Sequence, residues 1–399
     1  MTPAVATAVA EPRSVETEEG ASPAIVGRSP GELAWRRFKR DKVGVFALIV
    51  SLMFLALSAL AVPIVRLLGL NPYTFNQSLI DPSSQNPLGG FGGVSWAHPF
   101  GLEPGLGRDV FSRIILGSQW SFSVAFITTF LTLGTGLVIG VTTGYLGGTF
   151  DSAVGRVIDF LMAFPGFFMI IALSEPAVQR LESLPFIKTL YDGRGLTSKM
   201  LVMGTGAALA VVSTLLVLAV LRKNRSRTVV LAAITAFVAF GFATSFSLID
   251  PWFTSSHVRV FALVAFLAFF GWLYFARLIR SQVLSLRERD FVTAARALGA
   301  PDRRIVFKEL IPNLWPPVIV FASNALPGYL SAEAAFSYLG IGVQQPESTW
   351  GTILEQSQQF WQTNPVFFIF PGALLFIVVL AFNLVGDAVR DALDPKLDR

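Results

Sequence analysis

Residues 258–313 read VRVFALVAFLAFFGWLYFARLIRSQVLSLRERDFVTAARALGAPDRRIVFKELIPN, and this stretch sets the class of the molecule. Its first part, 258–281, is apolar for about the twenty residues that a helix needs to cross a bilayer. From Arg287 to Asn313 the chain turns polar, and a second apolar segment follows at 315–340. Phe291, Ala294, Ala295 and Leu298 recur at helical spacing and form one stripe, flanked by Arg287, Arg289 and Arg296. Gly299 stands where a helix end wants a left-handed residue, with Pro301 just beyond it. Asp302 is placed to cap a second short helix, Arg303 to Ile311, ending before Pro312-Asn313. The expected shape is a short, rigid helical elbow facing water between two spans, suited to docking and poorly suited to catalysis. An amphipathic loop resting on lipid headgroups is the plainer reading of the same pattern.

The rest of the chain agrees with a membrane setting. Of 399 residues, 53% are hydrophobic and 14% charged, and the mean hydropathy is +0.61. These values lie on the apolar side of an ordinary soluble domain. The net charge of +5 sits in short basic clusters beside apolar segments, the habit of loops on the cytoplasmic side and not of a nucleic-acid-binding face. With no cysteine there is neither a disulfide framework nor a thiolate metal site. The two histidines, His98 and His257, are too far apart in sequence to suggest a metal centre.

Segments of membrane-crossing length fall near 43–67, 120–146, 157–174, 199–221, 228–249, 258–281, 315–340 and 366–386, about eight in all. The fold class is therefore an all-α polytopic membrane protein. Residues 1–28 have the composition of a disordered tail, and 29–42 that of a basic amphipathic helix on the cytoplasmic surface, with Ser29, Pro30 and Glu32 at its start. The first transmembrane helix, 43–67, leads into an extracytoplasmic loop at 68–117, and 387–399 forms a cytoplasmic tail. Arg36–Lys42, Arg222–Arg227 and Arg277–Lys308 are the basic loops, whereas Leu70–Gly107 and Ile341–Pro365 hold no lysine or arginine. Both termini are accordingly expected in the cytoplasm.

Within the spans, Gly136, Gly140 and Gly144 repeat every fourth residue, a spacing that admits a neighbouring helix at close range. Pro165, Pro316, Pro317 and Pro327 are expected to kink their helices. Ionisable groups in hydrocarbon are costly and draw notice. Asp159 lies near a cytoplasmic end, where hydration or an ion pair would satisfy it. Glu333 stands between two roles, a pathway candidate lining a polar passage or a structural hydrogen-bonding group.

The run 287–313 resembles the EAA loop of binding-protein-dependent ABC importer permeases, of the dipeptide/oligopeptide branch. The likeness extends to HPFGLEPGLGRDVFSRIILG at 98–117, FSYLGIGVQQPESTWGTIL at 336–354, AFNLVGDAVRDALDPKL at 381–397 and the start WRRFKRDKVGVFALIV. It implies a type I importer core of about six spans, the first at 43–67 and the others in a permease domain at 118–386. The segment 176–256 is then an inserted two-helix hairpin. It also implies that 287–313 couples to a cytoplasmic ATPase through Asp290, Thr293, Ala294, Ala295, Gly299, Glu309, Pro312 and Asn313. Thr293 replaces the family's usual Glu, and Glu309 stands where histidine is common.

The implied partners are a second permease, two cytoplasmic ATPase subunits, an extracytoplasmic substrate-binding protein and the lipid bilayer of a bacterial plasma (inner) membrane, with no nucleic acid. The implied cargo is di- or oligopeptide, although similar permeases carry oligosaccharides or nickel. The sequence contains no Gly-Lys dipeptide and so no phosphate-binding loop of the G-x-x-x-x-G-K-[ST] kind. ATP and Mg are expected on the partner ATPases, with no cofactor, metal or catalytic residue in this chain. An ion-coupled secondary transporter using Glu333, or a membrane scaffold, are the readings from other classes.

Overall fold

The computed structural model describes residues 30–185, 255–345 and 347–394. The tail 1–28, the expected spans at 199–221 and 228–249, and with them most of the inserted segment 176–256, lie outside the described residues. Among the described residues the regular elements are helices alone. Five are long and apolar enough to cross a membrane, or six if one sharply bent pair counts as a single span.

Helix α1 (Pro30–Arg40) starts at the proline, as a residue without an N–H should, with Glu32 in its first turn and Arg37, Lys39 and Arg40 in its last. Asp41 then caps α2 (Lys42–Ala59), its Oδ1 accepting the Val43 N–H at 3.0 Å. The expected first span is divided, because α2 stops at Ala59 and α3 covers Ala61–Leu67. Pro63 explains the break. It offers no N–H to the Ala59 carbonyl, and its ring crowds that oxygen.

The loop expected at 68–117 ends earlier than its composition suggested. Helix α4 (Val110–Leu146) starts at Asp109, whose carboxylate accepts the Ser112 N–H at 2.6 Å. At 37 residues it is about 55 Å long. Helices α5 (Gly148–Met162) and α6 (Gly166–Glu182) meet at a bend of 81°, so the span expected at 157–174 is broken. Pro165 supplies the reason, since it disfavours helical geometry in the residue before it. Helix α7 (Ser255–Leu286) leads into the elbow, whose first arm is α8 (Asp290–Ala297). Then come α9 (Ile311–Tyr338), the short α10 (Trp350–Ser357) and α11 (Val366–Leu393). The last of these runs well into the segment expected as a tail from 387. Ala388 and Ala392 pack there on Phe38 of α1, and the Arg37 guanidinium donates to the Asp394 carbonyl at 3.0 Å.

Helices α4 and α7 form the central seam. A Cβ at Gly136 would lie 2.7 Å from the Phe275 ring, one at Gly140 2.7 Å from the Ala276 carbonyl, and one at Gly144 2.8 Å from Val283 Cβ. The glycine stripe is therefore a contact surface at which the two backbones nearly touch. Asp159, on α5, pairs with Arg277 of α7, and Asp151 accepts from Arg280 at 2.6 Å.

The contacts sort the ends of the bundle. Phe100, in the loop before α4, stacks on Phe370 near the start of α11 at 4.4 Å. That loop and the start of α11 therefore share one end. At the other end lie α1, the end of α11, the end of α4 and the elbow.

Candidate functional site

The elbow is held by its inner face. Val292 of α8, with Ile305 and Leu310 beyond the turn, is fully buried in one cluster with Val283 of α7, Val141 of α4 and Leu314 of α9. Burying each such side chain contributes about 1.5–3 kcal/mol as an upper estimate. Of the stripe Phe291, Ala294, Ala295 and Leu298, Ala295 packs on this cluster and the rest is exposed. Leu298 is 88% exposed, Phe291 39% and Phe307 62%, while Ala294 is exposed and Ala295 half-buried. The elbow thus carries two apolar faces, of which the bundle covers one.

Its shape comes from local chemistry. Asp290 sits in the first turn of α8, where a carboxylate favours the helix dipole. The Thr293 hydroxyl donates to the Asp290 carbonyl at 3.0 Å, so it is used within its own turn. Gly299 has φ +75°, the Gly299 N–H reaches the Arg296 carbonyl and the Ala300 N–H the Ala295 carbonyl, both at 3.0 Å. This is the paired-bond helix stop that calls for glycine. A Cβ at Gly299 would meet nothing within 4 Å, so only the backbone angle restricts it.

The second arm differs from the expected short helix. Pro301, not Asp302, occupies the cap position, and the turn Asp302–Arg304 runs through a π-helical segment, Ile305–Leu310, directly into α9. Pro312 does not end the helix because it lies in the first turn of α9, where a missing N–H is tolerated, and the wider π turn precedes it. Asn313 donates its side-chain amide to the Glu309 carbonyl at 2.6 Å. Glu309 is half-buried, and Pro312 and Asn313 are exposed. One arm of the elbow is therefore a separate helix and the other is the end of a span.

Glu333 is enclosed within the chain. Its Oε1 accepts from the Ser337 hydroxyl at 2.7 Å, with Ser121 of α4 and Thr349 as its other hydroxyl neighbours. It lies on α9 beyond the elbow, and its Oε2 and the Ser121 hydroxyl are buried without a hydrogen-bond partner.

At the opposite end of α4 lies a cluster that sequence reasoning did not single out. Glu103 takes the Arg108 guanidinium in two bonds of 2.5 and 2.8 Å and pairs with Arg113 at 2.8 Å, all three side chains being buried. Arg113 also donates to Ser348 at 3.0 Å and to Gln356 at 2.7 Å, and Arg108 to Gln345 at 3.3 Å. Trp120 donates to Glu347 at 3.1 Å, and Trp350 to the Ile114 carbonyl at 3.1 Å. The stretches 98–117 and 336–354, distant in sequence, are knotted together by these bonds. The spacing of Glu103, Arg108 and Arg113 was visible beforehand, but their partners after residue 340 carried no signal. Among the described residues no group of three His, Asp or Glu side chains is placed to hold a metal ion.

Comparison with known proteins matches residues 136–399 to the family described as binding-protein-dependent transport system inner membrane component. Residues 29–87 match the N-terminal TM domain of oligopeptide transport permease C. A dipeptide transport system permease protein DppC from Alkalihalophilus pseudofirmus is 28% identical over 92% of this chain and 91% of its own length. The glutathione transport system permease protein GsiD of Pectobacterium atrosepticum is 28% identical over 93% and 92%. The oligopeptide transport system permease protein OppC of Haemophilus influenzae is 27% identical over 93% and 90%.

Proposed function

The chain belongs to the binding-protein-dependent transport system inner membrane components, and from that premise we propose that its elbow, 287–313, takes force from ATPase subunits that this chain lacks. The chain is the permease subunit of an ATP-driven importer and not an enzyme. The observation that carries the elbow's assignment is its divided surface. Val292, Ile305 and Leu310 fasten it to the ends of α4, α7 and α9, while Phe291, Leu298 and Phe307 remain exposed. A rigid piece with an anchored face and a free apolar face can be pushed as a body, which is what alternating access asks of it.

The proposed assembly adds a second permease that completes the pathway, two ATPases holding ATP and Mg, and an extracytoplasmic binding protein. The cargo we infer is peptide, because relatives of this length are named for dipeptide, oligopeptide and glutathione transport. We infer that both termini are cytoplasmic. Arg36–Lys42 and the basic elbow share one end of the bundle, and the opposite loop, 70–107, has no lysine or arginine. Of its two readings we favour a structural role for Glu333, on the strength of its complete burial and its bond from Ser337. Thr293 and Glu309 replace the branch's usual residues without disturbing the elbow's shape, because Thr293 bonds within α8 and the Glu309 carbonyl is held by Asn313.

Leu298→Glu tests the assignment, since this exposed side chain makes no buried contact to lose. The variant is expected to keep its thermal stability and to lose about thirtyfold in affinity for the ATPase subunits. Retention of wild-type affinity and uptake by that variant would refute the docking role.

A further inference from the structure

The elbow's anchoring to α4 is not only apolar. The Tyr145 hydroxyl, on the last turn of α4, donates to the Asp302 carboxylate at 2.5 Å, across the turn between the elbow's two arms. Arg287, where α7 gives way to the elbow, donates to the Gly144 carbonyl at 3.1 Å. Arg296 of α8 faces the same tyrosine hydroxyl. The Tyr145 ring is half-buried and packs on the apolar cluster that also holds Val292 and Ile305. A charge-assisted O–H bond of this length is directional.

What lies along α4 gives the bond a purpose. Toward the elbow, the glycine stripe seats α4 closely on Phe275, Ala276, Ile279 and Val283 of α7. At its far end, α4 carries Arg113 into the knot with Glu103, Ser348 and Gln356, and its Ile114 carbonyl takes the Trp350 indole N–H. One unbroken helix thus runs from the elbow turn to the opposite surface, polar-bonded at both ends.

We propose that Tyr145 and Asp302 are positioning residues for transport, a latch that makes α4 the rod carrying elbow movement across the membrane to the knot at 98–117 and 345–356. The latch rests on the coupling role proposed above for 287–313. Val292 and Ile305 hold the elbow against α4 sideways, but an apolar contact slides. The hydroxyl–carboxylate bond adds a directional tie between the elbow turn and the end of α4, which apolar packing does not supply.

The test uses the whole complex, this chain with its copurifying permease and ATPase subunits and its binding protein, in proteoliposomes. Imported peptide is measured per ATP hydrolysed, with an equimolar mixture of di-, tri- and tetrapeptides as the probe. Tyr145→Phe and Asp302→Asn should each lower that ratio about fivefold, with ATP hydrolysis still running and the unfolding temperature within about 2 °C of the parent. The double variant should fall no further than either single one, as expected for two ends of one bond. A merely structural pair would change the unfolding temperature and leave the ratio alone, and that result overturns the latch. So does a wild-type ratio in Tyr145→Phe while the parent transports normally, a result that leaves the coupling role of the elbow standing. A parent complex that imports the mixture equally well without ATP hydrolysis would overturn the coupling role and the latch together.

Discussion

The two ends of α4 are built on opposite plans. At one end, Glu103, Arg108 and Arg113 are sealed from solvent and bonded to side chains from three further positions on the chain. At the other, the elbow rests mainly on apolar anchors, with the Tyr145–Asp302 and Arg287–Gly144 bonds beside them, and shows Leu298 and Phe307 to its surroundings. Buried charges cost desolvation and are stable only when every partner is present, so the knot has a single acceptable arrangement. Apolar contacts are non-directional and tolerate a change of partner. The difference teaches which end is fixed by its own chain and which is left to be completed by another.

Substitutions at the two ends should break this contrast in different ways. The largest loss is expected from Glu103→Gln, which leaves the two buried guanidiniums without their carboxylate. About 3–5 kcal/mol of stability should go, seen as a marked fall in the unfolding temperature of the purified chain. Next comes Gly140→Leu in the seam between the ends. Its side chain would meet the Ala276 carbonyl and Ile279, and overpacking of this kind costs about 1–3 kcal/mol in the same assay. Gly299→Ala should cost about 1 kcal/mol, through its φ of +75° alone, since its Cβ has open space. Hydrogen exchange should show the loss as local opening of α8, with the knot unchanged. Smallest of all, Leu298→Ser at the exposed face should shift stability by less than about 0.5 kcal/mol. A Glu103 variant as stable as the parent, or a Leu298 variant as damaging as Glu103→Gln, would erase the contrast.

Much of the elbow's design was written in local residue order. The stop at Gly299 needs only the preceding helix and the following proline, and the glycine stripe on α4 announces a close neighbour by its own spacing. The membrane class followed from apolar length alone. What stayed hidden depended on residues far apart in the chain. Arg113 looked like part of a loop, because a charged residue inside a helix start is affordable only when Glu103, Ser348 and Gln356 converge on it. Val292 carried no mark distinguishing it from Phe291, yet it is the anchor, since its burial depends on where α4 and α7 pass. The break near Pro165 was expected as a kink in kind but not in size, and the one near Pro63 was not expected, because a proline says where a helix weakens and its neighbours decide how far it bends. The fusion of the elbow's second arm with α9 escaped notice because Pro312 reads equally well as a stop and as a first-turn residue. Helix α11 outlasted its apolar run for a tertiary reason, the seat that Phe38 offers Ala388 and Ala392.

The central claim is that the uncovered face of the elbow meets an ATPase. Because the natural chain contains no cysteine, single cysteines placed by Leu298→Cys and Phe307→Cys can each carry one photo-crosslinker in the intact complex. Trp96→Cys, on the opposite loop, serves as the control. Illumination should join the labels at 298 and 307 to an ATPase subunit and leave the label at 96 joined to none. Capture of an ATPase from position 96, or its absence from both elbow positions in a complex that hydrolyses ATP, would contradict the account.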